Sequence, residues 1–157
     1  MFKMKLLMLI AAIASACSVG AMEKEFFKGD PQTRVERLRG YSLDEQWRIF
    51  VYGNQVVHPP IRELAIPIAE RGKEALRFIL RELEDSRGDL NFRDSMVVFE
   101  KMQKKGYYDV CADDSAMERI RKNEEKIEYR GWRELYREMA YDLCNESQMD
   151  DSNGEGV

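Results

Sequence analysis

The sequence predicts an all-α protein, a small bundle of antiparallel helical hairpins ending in a long C-terminal helix. Apolar residues recur at helical spacing from Leu43 to Leu143, and two Ser-x-x-Glu patterns, Ser42 to Glu45 and Ser115 to Glu118, have the form of capping boxes that open helices. Glycines at 72 and 106 stand where two apolar faces end, as C-terminal caps do. Strand signals are weak throughout. No segment alternates apolar and polar residues over a strand's length, and no Asn-Gly pair lies between β-branched runs.

The first element is an export signal. Lys3 and Lys5 give a positive start, and Leu6 to Ala16 carries no charge and no polar face. The run is well short of the roughly 20 residues that span a bilayer, so a permanent anchor is disfavoured. Two processing routes remain open. Val19-Gly20-Ala21 has the small residues expected before a cleavage that leaves Met22 as the new N-terminus, making residues 1–21 the signal peptide. Alternatively, Ile13-Ala14-Ser15-Ala16-Cys17 resembles a bacterial lipobox, with Ala14 where that pattern usually has leucine. The resemblance implies removal of residues 1–16 and acylation of Cys17. Either route predicts an exported, periplasmic protein, soluble or lipid-anchored.

Cysteine count points the same way. Of the three cysteines, Cys17 is removed or lipidated, which leaves Cys111 and Cys144 to form a disulfide in an oxidising compartment. A single histidine and two distant cysteines argue against zinc, and no metal or other cofactor is expected. Loss of Lys3 and Lys5 takes the formal net charge from −4 to −6, and the acidic residues after Asn145 leave the body near −2. A nucleic-acid binder needs a basic stripe, and none is present, so no nucleic-acid partner is expected.

Residues 22–40 read as a polar lead-in, with a short helix over Thr33 to Arg39. The helical domain is expected over 41–145. Its first helix runs from Leu43 through Trp47, Phe50 and Val51 to Gly53-Asn54. The second starts at His58-Pro59-Pro60, because proline suits the first helical position. It presents Ile61, Leu64, Ala65 and Ile68, is bent at Pro67, and ends at Gly72. The third, from Lys73 to Glu84, buries Ala75, Leu76, Ile79, Leu80 and Leu83. Arg87-Gly88-Asp89 is a turn. The fourth, Phe92 to Lys105, presents Phe92, Met96 and Phe99. A connector with Cys111 leads to Ser115, where a long helical stretch opens and continues to Leu143, with a break at Gly131. The last residues, 146–157, are too polar to pack and are expected to be a disordered acidic tail.

Residues 60–84, two helical faces meeting at Gly72, resemble a HEAT-like helical repeat. Such repeats are mostly binding scaffolds, so the resemblance implies protein interaction without naming a partner. His58 is the natural place to look for acid–base chemistry, but no nucleophile or orienting carboxylate accompanies it at a usable spacing, and a structural role is expected. No catalytic residue is assigned, and the chain is read as a non-enzyme. Tyr107, Tyr108, Trp132 and Tyr141 are the candidate anchors for a protein partner, since aromatic residues dominate interface hot spots. Core packing is the competing expectation for Trp132. The function expected is an envelope scaffold or assembly factor, and the alternative is a periplasmic inhibitor or immunity protein against a toxin or hydrolase.

Overall fold

A computed structural model of the chain describes residues 19–151, with side chains over 20–145. Of the expected signal peptide 1–21, residues 1–18, with the lipidation candidate Cys17, lie outside the described residues and 19–21 fall in the first helix; the tail beyond Asp151 also lies outside. The described residues form eight α-helices and three 3-10 turns, with no strand. They divide into two compact units after Ile61.

The first unit contains α1 (Val19–Lys28), a 3-10 turn at Pro31–Thr33, α2 (Arg34–Leu38) and α3 (Leu43–Val56). The expected polar lead-in is thus mostly helical. The helix α1 packs on α3, with Phe26 buried in an edge-on contact with Tyr41 and the Phe27 ring lying on Gly53. Its C-terminal carbonyls at Phe26 and Phe27 accept from the Arg37 and Arg34 guanidinium groups at 2.6 and 3.0 Å. Those caps satisfy oxygens that a helix leaves without internal partners. The apolar content of 22–40 is low because one inward position is Glu23, which is buried and paired with Arg48 at 2.6 Å. Long-range pairing, invisible to a periodicity argument, turns a polar stretch into a packed one. The start of α3 follows expectation: Ser42 Oγ accepts from the Glu45 amide, and Glu45 accepts from the Ser42 amide at 2.9 Å.

The second unit contains a 3-10 turn at Arg62–Leu64, α4 (Ala65–Ala69), α5 (Lys73–Glu82), α6 (Asp89–Lys105), α7 (Asp114–Asn123), a 3-10 turn at Glu124–Lys126 and α8 (Arg130–Asp151). The helix expected from Pro59 starts later. Pro67 therefore falls in the first turn of α4, where its missing N–H is one the helix would leave unpaired anyway. Gly72 has φ 55° and links α4 to α5; a Cβ there would also lie 3.0 Å from the Tyr107 carbonyl oxygen. Gly106, at φ 68°, ends α6 as expected.

The central element is α6, packed against both α4 and α8. It buries Phe92, Asp94, Ser95, Met96, Val97, Val98, Phe99 and Met102, which is more than one helical face. An α-helix buried nearly all round is one with neighbours on both sides. The capping box expected at Ser115 is replaced by Asp113, whose Oδ1 accepts from the Ala116 amide at 3.0 Å, so α7 begins two residues earlier. The long C-terminal stretch breaks before Gly131, at 127–129, where Asp89 takes up the freed amides of Glu128 and Tyr129. Residues 146–151, expected in the tail, continue α8.

Candidate interaction surface

The second unit gathers its exposed aromatic residues at two places, and α8 connects them. Cys111 and Cys144 are joined by a disulfide, with Cα atoms 5.6 Å apart. The bridge holds the loop carrying Tyr107 and Tyr108 against the part of α8 that carries Tyr141, one turn before Cys144. In the chain-entropy account, closing this loop contributes roughly 3–4 kcal/mol. Tyr141 is 72% exposed and Tyr107 is 38% exposed, while Tyr108 is half-buried. The Tyr108 hydroxyl donates to Asp113 Oδ2 at 2.9 Å, and the Lys73 ammonium lies 5.8 Å from its ring centre. The Ala116 amide and then that hydroxyl hold the Asp113 carboxyl below its ordinary pKa, with help from the charges of Lys73 and Arg77. Tyr108 is thus tied into the structure of the loop, and Tyr107 and Tyr141 are the more exposed of the three candidates at this end.

Gln103 builds the loop from inside. Its Oε1 accepts from the amides of Val110 and Cys111 at 2.9 and 3.2 Å, and its Nε2 donates to Asp109. Asp109 also accepts from the Ala112 amide at 3.1 Å. Nothing in the spacing of the sequence marks Gln103 for this work.

Trp132 lies apart from the other three candidates. It stands in the first turn of α8, about 18 Å along the helix from Cys144 at 1.5 Å per residue. Its ring is half-buried and faces the Arg93 guanidinium, 5.5 Å from the ring centre. Arg93 is held in turn by Asp94 Oδ1, with Nε at 2.9 Å and Nη2 at 2.6 Å. The Asp94 side chain is fully buried and the Arg93 side chain is 21% exposed. The arrangement is therefore a buried carboxylate fixing a guanidinium, which lies against an indole at the surface. Tyr129, three residues before Trp132, is 66% exposed, its ring lying where a side chain on Gly131 would stand. Sequence reasoning missed Arg93 and Asp94. The available signal was Ser95-Met96-Val97-Val98-Phe99, five uncharged residues in a row, which mark α6 as central and make a neighbouring acid a candidate for burial.

His58 is exposed and lies in the first unit. Among the described residues, no group of three or more His, Cys, Asp or Glu side chains is placed to hold a metal ion, and no helix is long and apolar enough to cross a membrane. In comparisons with known proteins, the chain matches no family model, no curated protein and no solved structure.

Proposed function

We propose that this chain is an exported helical domain that works by binding another protein, as an envelope scaffold or assembly factor, and that the surface around Trp132 and Arg93 is its principal contact. The observation that supports the contact is the Asp94–Arg93–Trp132 arrangement. Burying a carboxylate costs desolvation, and a buried ion pair adds little net stability over apolar packing of the same volume. What the pair does achieve is a fixed orientation for Arg93 at the surface, beside a half-buried tryptophan that an exposed tyrosine precedes by three residues. Trp, Tyr and Arg are the side chains that most often dominate binding energy: the two aromatic ones give large contact area with few rotors to freeze, and Arg adds a planar, multiply donating fork. Tyr107 and Tyr141, at the disulfide end, extend the surface along α8. Export is supported by the uncharged N-terminal run and by a disulfide that a reducing cytoplasm would not maintain.

The test is photo-crosslinking in the native host, with a photoreactive phenylalanine analogue in the full chain at Tyr129 and, as a control, at the exposed Arg121. A discrete adduct from position 129, lost in Trp132→Ala and Arg93→Ala and absent from position 121, is the expected result. No adduct at 129, or the same adducts from both positions, would overturn the contact. Intact mass settles export separately: the chain should start at Met22, or at an acylated Cys17. A mature mass that still includes Met1 would end the export reading.

A further inference from the structure

We infer that the Cys111–Cys144 disulfide is a one-sided clasp: reducing it releases the C-terminal part of α8, including Tyr141, while the loop that carries Cys111 keeps its shape. The inference rests on how unequally the two partners of the bridge are supported. On the loop side, Val110 is fully buried, and the amides of Val110 and Cys111 are bonded to the Gln103 side chain. Asp109 accepts from Ala112, Asp113 caps α7, and Tyr108 donates to Asp113. None of these bonds involves the bridge or α8.

On the helix side, support is concentrated before the bridge. Tyr136 is buried and its hydroxyl donates to the Ile120 carbonyl at 2.8 Å. Arg133 donates twice to the Ile127 carbonyl, and Arg137 pairs with Glu124. Beyond Tyr136, Leu143 is the one buried side chain among the described residues of α8. Met139 and Ala140 are half-buried, and Glu138 and Tyr141 face solvent. A helix end frays when packing no longer offsets its ordering entropy, and isolated helical segments this short are marginal.

The chemistry is ordinary thiol–disulfide exchange. A dithiol reductant attacks one sulfur and the S–S bond breaks. Cys111 and Cys144 take up two electrons and two protons as thiols, and the reductant closes into its own disulfide. The consequence is a surface whose Tyr141 end depends on redox state and whose Trp132 end does not.

Hydrogen exchange of the full chain, oxidised and after dithiothreitol, tests this, with Cys111→Ser/Cys144→Ser as the permanently open form. Amides over 140–145 should exchange about tenfold faster or more when the bridge is open, while those of Val110 and Cys111 change less than about threefold. In the oxidised chain, Gln103→Ala should show the reverse, with fast exchange at Val110 and Cys111 and unchanged protection over 140–145. Loss of protection across Phe92 to Met102 on reduction would overturn the clasp in favour of a global staple. Unchanged exchange over 140–145 would overturn it too, as would loosening of α8 by Gln103→Ala.

Discussion

The Asp89 carboxylate accepts the backbone N–H groups of both Glu128 and Tyr129, at 3.0 and 2.8 Å, across about forty residues of chain. One side chain thereby does two things. As the first residue of α6 it places negative charge at a helix N-terminus, and it also satisfies amides that the break before α8 leaves without helical partners. Asp89→Ala should cost about 1–3 kcal/mol in a urea titration, the range for stranding polar groups that were bonded to a charge. Hydrogen exchange should locate the effect at Glu128 and Tyr129. A loss below about 0.5 kcal/mol would mean that water replaces the carboxylate at this site without penalty.

Gly53 is the floor on which Phe27 lies. A Cβ at 53 would stand 2.4 Å from the tip of the Phe27 ring, so the ring must move. Helix propensity favours alanine there by about 1 kcal/mol, and displacing a packed ring opposes it by about 1–3 kcal/mol. Gly53→Ala is expected to destabilise the wild-type background and to stabilise a Phe27→Ala background. The sign change in a double-mutant cycle is the measurement. Equal effects in both backgrounds would show that Phe27 does not lie on Gly53 in solution.

The Glu23–Arg48 pair should respond unequally to loss of either partner. The Glu23 side chain is 4% exposed, whereas Arg48 is 32% exposed and can keep part of its hydration alone. Arg48→Met strands a buried carboxylate and is expected to cost roughly 3–5 kcal/mol. Glu23→Met leaves a cation that still reaches water, and should cost about 1 kcal/mol or less. Thermal or urea unfolding of the two variants measures the asymmetry directly. The opposite ranking would place Glu23 in water and detach α1 from the first unit.

How far the fold could be read from the chain depended on how far each determinant lay from its effect. Ser42 and Glu45 are three residues apart, and the helix they open is legible from sequence. Gly72 and Gly106 end helical faces that local periodicity defines. Residues 22–40 looked polar because Glu23 finds its partner 25 positions later, and Phe27 finds its seat on Gly53. The break lies at 127–129 and not at Gly131, because Asp89, which stabilises it, lies on another helix. Start positions slipped for α4 and α7 where two signals competed: Pro59 against Pro67, and Ser115 against Asp113. At the surface, Trp132 was legible as an aromatic candidate by its type alone. Arg93 and Asp94 were not, because an adjacent charge pair on a helix ordinarily points to solvent, and only packing on both sides of α6 buries Asp94.

Asp113 gives a dependence on pH whose sign follows from its surroundings. The Ala116 amide, then the Tyr108 hydroxyl, favour the carboxylate and hold its pKa below the ordinary 3.8. A group depressed on folding adds stability that is complete above its unfolded pKa and is lost as pH falls through the folded one. The contribution of Asp113 is therefore present at neutral pH and disappears as pH drops below about 3.8, its reference value. Asparagine caps helices nearly as well but cannot titrate, so Asp113→Asn should remove the acid-sensitive part and retain most of the cap. Asp113→Ala should lose both, at about 1 kcal/mol near pH 7. Urea midpoints of wild type and Asp113→Asn, compared at neutral pH and again below 3.8, should converge on acidification. Parallel decline of the two proteins would show that Asp113 has no folded-state advantage as a carboxylate, and that the Tyr108 hydroxyl does not donate to it in solution.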